Sequence, residues 1–337
     1  MKFGRVPVAD AAGALLAYGL TVDGRRLKKG HCLSAADVAS LARDGVVEVL
    51  AARLQDGDVA EDVAAGQLAA AAAADGVSVN APFTGRCNIY AEQAGVALVD
   101  RQIVDRINAI DERLTIATVM PFASVEPGQM LATVKVIPFA VPQDVLQAAL
   151  DVASGAVGVA AYGAHRAGVI STRLPETADK VIAKAERVTA QRLERLGSAL
   201  ADTATVDHHE DALARAITAQ YRAGLSPILI FAASAITDRR DVIPAAIEAA
   251  GGRIVHYGMP VDPGNLMLVG DLDGVPVIGA PGCARSPKEN GFDWVVQRLL
   301  AGLAVDSAAV QGMGVGGLLM DTAQRGAPRD RAEGADG

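Results

Sequence analysis

The chain has 337 residues, of which 51% are hydrophobic and 4% aromatic, and its formal net charge is -8 at pH 7. This composition excludes a chain that is disordered over most of its length, and the length predicts two domains that each bury a core. Because an acidic molecule offers nucleic acid no broad basic field, we do not expect nucleic acid as a partner.

Cysteine spacing and hydropathy indicate the compartment. Cys32, Cys87 and Cys283 lie far apart and form no C-x-x-C pair, so neither a zinc site nor a disulfide framework is indicated. No stretch approaches the roughly 20 apolar residues that span a bilayer, and Met1 is not followed by a basic segment and an apolar run. We therefore expect a cytoplasmic protein without a membrane partner.

Residues 1–145 mix short strands with helices and predict an α+β domain. Ser34 and Asp37 precede a helical apolar pattern, which indicates a capped helix. The predicted elements are a capped helix over 35–43, a strand over 46–52, an alanine-rich helix over 61–74 and a strand pair within 115–140 that is broken at 126–128.

From Ala156 the pattern changes to alternating strands and helices. Strands are predicted over 156–161, 204–207, 227–233 and 253–257, and helices over a long segment opening at Pro175, over 210–222 and over 241–250. This βαβ order predicts an α/β domain over 146–305, with a mostly parallel sheet flanked by helices. Asp273 and Gly274 predict a hairpin on that sheet, followed by a last helix from Pro287 to Leu303. Residues 306–337 are predicted to be a tail or linker.

Ligands of open α/β sheets bind beyond the carboxyl ends of the strands, and three loops qualify here. The first covers residues 162–172 and is either a flexible polar loop over a ligand or a surface connection. The second covers 232–241, where Ser234 and Thr237 can donate to an anion. In that loop Asp238 and Asp241 either hold a metal-bound water or cap the next helix.

The third loop covers residues 281–291, after a buried strand. Arg285, Ser286 and Lys288 crowd the predicted first turn of the last helix, where the helix dipole disfavours cations unless an anion binds. Gly282 permits close backbone approach, and Cys283 is interpreted as a packed thiol because no histidine has a defined relation to it. The paired His208 and His209 have no third ligand at helical spacing and are interpreted as a polar strand exit.

Several motifs resemble the molybdopterin-binding domain of molybdenum-cofactor biosynthesis proteins. They are AASAITDRRD, GMPVDPGN and APGCARSPKENGFDW in the second half, with Gly30 and the helix and strand that follow in the first half. The chain is most similar to the N-terminal region of the subgroup in which molybdopterin binding is fused to a nucleotidyltransferase. No G-x-x-x-R-M-G loop is present, so cytidylyl transfer is not expected.

The resemblance implies that molybdopterin, free or adenylylated, is the bound cofactor. The positions it assigns to cofactor binding are Ser234, Thr237, Asp262, Pro263, Gly264, Asn265, Pro281, Gly282, Cys283, Arg285, Ser286 and Lys288. If the chain is a molybdopterin molybdotransferase that inserts molybdate, Asp238 and Asp241 are the expected catalytic residues and Mg²⁺ ligands.

The sequence departs from the family pattern at both loops. Ala232, Ala233 and Ser234 stand where a glycine pair is expected, and Cys283 replaces the asparagine of a Pro-Gly-Asn-Pro segment. These departures favour a second hypothesis, a non-catalytic carrier or chaperone that presents the cofactor to a molybdoenzyme or a nucleotidyltransferase. A nucleotide-processing hydrolase is a third. Membership of this commonly oligomeric family also implies a homo-oligomer.

Overall fold

The computed structural model describes residues 1–319, which fall into two compact units, Met1–Ala160 and a second that begins at Ala161. The division comes later than the predicted boundary at 145/146. The reason is that residues 146–160 bury Leu146, Ala149 and Val157 in the core of the first unit.

Within the described residues the first unit contains, besides a short 3-10 helix, Val8–Asp10, fourteen strands and four α-helices. In chain order they are β1 Lys2–Pro7, β2 Leu15–Leu16, β3 Leu20–Val22, β4 Arg25–Leu27, α1 Ala35–Arg43, β5 Glu48–Arg53, β6 Asp58–Ala60, α2 Glu61–Ala72, β7 Val77–Val79, β8 Arg86–Ala91, β9 Gly95–Val99, α3 Arg101–Ile110, β10 Leu114–Thr118, β11 Ser124–Val125, β12 Met130–Val136, β13 Ala140–Pro142, α4 Gln143–Val152 and β14 Val157–Ala161. The mixture of helices and small sheets is the α+β arrangement that the sequence predicts.

Local signals account for several of these elements. The Ser34 hydroxyl accepts from the Asp37 N–H (3.1 Å) while the Asp37 carboxylate accepts from the Ser34 N–H (3.0 Å), so the predicted cap of α1 is confirmed. Strands β10 and β12 pair antiparallel, as predicted for the segment broken at 126–128. The small side chains of α2 let it pack closely, with Ala65 and Leu68 fully buried.

The second unit is built on one six-stranded sheet. Its elements are β15 Arg166–Arg173, α5 Asp179–Arg195, β16 Ala199–Asp207, α6 Glu210–Arg222, β17 Ile228–Phe231, α7 Val242–Ala249, β18 Arg253–Tyr257, β19 Leu268–Leu272, β20 Val275–Ala280, α8 Gly291–Leu300 and α9 Ser307–Gln311. The strand order is β16-β15-β17-β20-β19-β18. One apolar cluster on the sheet includes residues of α5 and α8, and another includes residues of α6 and α7.

The sheet is mixed, so the mostly parallel arrangement is only partly observed. Strands β16, β15, β17 and β20 run parallel to one another, whereas β19 is antiparallel to both β20 and β18. The reversal at β19 follows from the predicted hairpin turn, in which Asp273 and Gly274 both have positive φ (49° and 86°).

Several predictions for the second unit are wrong. The helix predicted to open at Pro175 begins at Asp179, and the strand predicted over 156–161 is β14, which lies in a sheet with β9 and β11 of the first unit. Most of the loop predicted over 162–172 is β15, the strand between β16 and β17. Because β15 is buried on both faces, its side chains do not alternate between apolar and polar as they do in a half-buried strand. Without that alternation, the polar Ser171 and Thr172 made the segment resemble a loop in the sequence. Helix α8 begins at Gly291 instead of Pro287, because Asn290 caps it.

Another error concerns the predicted tail. Residues 306–319 contain α9 and bury Val310 and Met313 in the core of the second unit. The rest of the predicted tail, 320–337, lies outside the described residues.

Candidate functional site

The carboxyl ends of five strands of the second unit lie along one edge of its sheet. Strands β15, β16, β17 and β20 are parallel, and β18 has the same direction because β19 opposes both β18 and β20. The loops that follow these strands therefore emerge at the same edge, where ligands of α/β sheets bind. Two of these loops, 232–241 and 281–290, follow the neighbouring strands β17 and β20.

Arg285 joins these two loops. Its Nη2 donates to the Ala232 carbonyl at 2.7 Å, and its guanidinium lies 5.8 Å from the centre of the Phe231 ring. The side chain is half-buried, and burial lowers its pKa, yet an arginine stays charged near neutrality. A cation with donors left over after this one bond thus lies between the two loops.

The 262–265 turn lies against the start of α8. The Pro263 carbonyl accepts from the Gly291 N–H at 2.9 Å. Gly264 has a φ of +145°, and a Cβ there would lie 3.0 Å from the Gly291 backbone, so this position requires glycine. The exposed Asn265 contributes its carbonyl to the Met259 N–H (3.0 Å). The structure therefore brings this turn next to the loop that contains Arg285.

Arg192 of α5, which was not predicted from the sequence, anchors the 281–290 loop through hydrogen bonds to its backbone. Its Nε donates to the Asp293 carboxylate at 2.6 Å, and its Nη atoms donate to the carbonyls of Ala284 and Ser286. The Arg192 side chain is only 8% exposed. Burial raises the pKa of Asp293, an effect that the neighbouring Arg192 charge partly offsets. In the sequence, Arg192 falls on the apolar face of an amphipathic helix, and this unusual position could have identified it as a buried, paired residue.

Thr172 and His208 form a second cluster at the same edge. The buried Thr172 hydroxyl accepts from the Ala233 N–H and lies 2.8 Å from His208 Nδ1. Thr172 thus ties the end of β15 to the ends of β16 and β17. His208 is only half-buried, which leaves this polar pair partly accessible beside the 232–241 loop. The pairing across strands could not be predicted while β15 was interpreted as a loop.

Asp241 is the N-cap of α7. One carboxylate oxygen accepts from the Val242 N–H (2.8 Å) and the other from the Thr237 N–H (3.1 Å). Asp238 is exposed and pairs with Arg240 at 2.9 Å. The hydrogen bond from Arg240 lowers the pKa of the Asp238 carboxyl. Within residues 1–319 no group of three or more His, Cys, Asp or Glu side chains could hold a metal. Both carboxylates are already held by other protein groups, Asp241 by backbone N–H groups and Asp238 by Arg240.

The other predicted site residues surround the same loops. Ser234, Thr237, Gly282 and Lys288 are exposed, Pro281 is buried, and Cys283 and Ser286 are half-buried. The Ser286 hydroxyl accepts from the Lys288 N–H at 3.3 Å. Burial raises the pKa of the Cys283 thiol, which disfavours the nucleophilic thiolate at neutral pH.

Residues 5–53 match the model of a family described as a domain of unknown function (DUF8806). No curated protein matches the chain. Among solved structures, the chain is similar to the molybdopterin biosynthesis MoeA protein from Pyrococcus horikosii, with 12% sequence identity and a TM-score of 0.31; the match covers 93% of this chain and 76% of that chain. The likeness is a distant one. Within residues 1–319, no helix is long and apolar enough to cross a membrane.

Proposed function

We propose that this protein binds molybdopterin, free or adenylylated, in molybdenum-cofactor biosynthesis. The ligand's phosphate arm lies between the 232–241 and 281–290 loops. The observation that carries the proposal is the half-buried Arg285, which bonds to Ala232 and so places a cation between two loops whose motifs resemble the family's. Arginine supplies several fixed donors that match phosphate oxygens.

The polar groups nearby support an anionic ligand. Lys288 is exposed on the same loop, and Ser234 is exposed on the other. Both loops follow parallel strands, so their backbone N–H groups lie at the sheet edge where phosphates of α/β proteins bind.

The carrier hypothesis fits the carboxylates better than molybdate insertion does. Both oxygens of Asp241 accept backbone N–H groups, and Asp238 is held by Arg240. A carboxylate that caps a helix would have to give up those bonds to bind Mg²⁺. We therefore favour binding and presentation of the cofactor to a partner enzyme over catalysis.

Fluorescence titration with molybdopterin tests the binding site. Replacing Arg285 and Lys288 together by alanine removes two cations, and we expect the Kd to rise roughly tenfold or more, because each charge-assisted hydrogen bond contributes about 1.5–3 kcal/mol. The matched control is Lys184→Ala with Arg187→Ala, which removes two exposed charges from the middle of α5. Equal affinities for the two double variants would remove these loops from the site.

A second assay separates the carrier from the enzyme. The protein is incubated with adenylylated molybdopterin, molybdate and Mg²⁺, and AMP is measured. No AMP release is expected from a carrier. Release that disappears in Asp241→Asn would overturn the carrier hypothesis, and this variant keeps a good N-cap residue so that α7 still forms. Hydrolysis of a nucleotide without any pterin binding would instead favour a hydrolase.

A further inference from the structure

A basic cavity that is wide open to solvent lies in the first unit, within the segment matched by the domain of unknown function. Its volume is about 410 Å³, and it is lined by seven consecutive residues, Arg25, Arg26, Leu27, Lys28, Lys29, Gly30 and His31. The segment runs from strand β4 into a turn in which the His31 N–H donates to the Lys28 carbonyl (3.1 Å). Four cationic side chains in one short segment stand out in a chain whose net charge is -8.

One buried carboxylate fixes both ends of this segment. Asp37 is 2% exposed and accepts from the Arg25 guanidinium, and it lies 2.9 Å from His31 Nε2. Hydrogen bonds from His31 and Ser34 hold the pKa of Asp37 far below its ordinary value, so the anchor stays ionised. The Gly30 N–H bonds to the Leu16 carbonyl (2.8 Å), and its φ of +77° lets the backbone turn there.

Two other cations of the segment, Arg26 and Lys28, keep their charge available to a ligand. Arg26 and Lys28 are exposed and form no ion pair with any of residues 1–319. The Lys29 ammonium nitrogen lies 5.7 Å from the centre of the Phe139 ring, so a cation–π contact keeps this side chain beside the cavity. Like charges packed this closely repel one another, and a bound anion relieves that repulsion.

We propose that this cavity binds the phosphate groups of a small phosphorylated molecule. Its volume suits a ligand no larger than a nucleotide, and the net charge of -8 disfavours a longer polyanion. Arg26 and Lys28 contact the phosphate oxygens, while Asp37 holds Arg25 and His31 in place behind them. This site lies in the first unit, so its test is independent of the pterin pocket.

Inorganic pyrophosphate is the probe, titrated calorimetrically into the full chain at low ionic strength. Because Arg285 and Lys288 could also bind an anion, the reference protein and the variants compared with it all carry Arg285→Ala and Lys288→Ala. We expect Arg26→Ala with Lys28→Ala to raise the Kd at least roughly tenfold. The control Lys184→Ala with Arg187→Ala lowers the net charge by the same amount and should change the Kd less than about twofold.

Acylation of lysine amines, read by mass spectrometry, locates the bound anion. Pyrophosphate should protect Lys28 and Lys29 from acylation and leave Lys184 unchanged. The single variant Lys28→Gln provides a second measurement should the double variant misfold, and it should also weaken binding. Absence of pyrophosphate binding, equal losses in the test and control variants, or protection confined to the second unit would overturn the proposal.

Discussion

Replacing Arg192 by alanine should destabilise the second unit and loosen the candidate site together. The Arg192 and Asp293 side chains are 8% and 14% exposed, and their Nε–Oδ1 distance is 2.6 Å. Removing one member of a buried ion pair costs about 3–5 kcal/mol, chiefly because the remaining charge stays buried and unpaired. Asp293 keeps its bond from the Asn290 N–H and some contact with water, so we expect the lower end, about 3 kcal/mol.

Urea unfolding measures this loss, with Arg195→Ala as the matched control. Arg195 lies on the same helix but is exposed, so its replacement should change the free energy of unfolding by no more than about 0.5 kcal/mol. Arg192→Lys keeps the charge but not the fork that reaches the carbonyls of Ala284 and Ser286, and an intermediate loss is expected. In Arg192→Ala, molybdopterin affinity should also fall, because the 281–290 loop loses its anchor.

The pH dependence of the Arg192→Ala variant provides a sharper check. Burial raises the pKa of Asp293, and without the arginine this pKa should rise further. A carboxyl with a raised folded-state pKa binds a proton more tightly folded than unfolded, so folding is favoured as pH falls through that range. The variant should therefore lose less stability near the unfolded carboxyl pKa of about 4 than at pH 7. A loss below about 0.5 kcal/mol at pH 7, or one independent of pH, would refute the reasoning.

Three further perturbations test other parts of the structure. Thr172→Val leaves the Ala233 N–H without its partner and should cost about 1–3 kcal/mol in urea unfolding, whereas Thr172→Ser should cost much less. Asp241→Ala should lower stability by about 1 kcal/mol through loss of the N-cap of α7, and Asp241→Asn by only a fraction of this; equal losses would contradict the capping role. The side-chain hydrogen bond from Arg113 lowers the pKa of Asp111 to about 2. The contribution of this carboxylate to the free energy of unfolding should therefore be fully present above the unfolded carboxyl pKa of about 4 and disappear as pH falls through about 2. Unfolding of the wild type and of Asp111→Asn, measured across this pH range, tests it.

Much of the secondary structure could be predicted because its signals are local. The helix over 210–222 and the strand over 253–257 match α6 and β18 at both ends. Asp273 and Gly274 predicted the hairpin between β19 and β20 because that turn needs two residues with positive φ. The prediction failed at β15, since a strand covered on both faces lacks the alternation that marks a strand in sequence.

The candidate site could be predicted only in part. Two of the loops proposed from the sequence do follow neighbouring strands, and Arg285 does lie between them. The helix start predicted at Pro287 was wrong, so Arg285 and Lys288 lie ahead of the cap of α8 instead of in its first turn. Capping competes with metal binding for Asp241, and the sequence could not decide between the two roles.

The sequence by itself determined the α/β class of the second unit, its hairpin turn and, in the first unit, the cap of α1, because periodicity, caps and turn residues act within a few positions. Only the tertiary structure decided which side chains meet at the sheet edge. Arg192 and Asp293 are 101 positions apart, and Thr172 and His208 are 36 apart. Parallel strands are joined through helices, so residues at neighbouring strand ends are distant along the chain, and their contacts depend on strand order and not on local pattern.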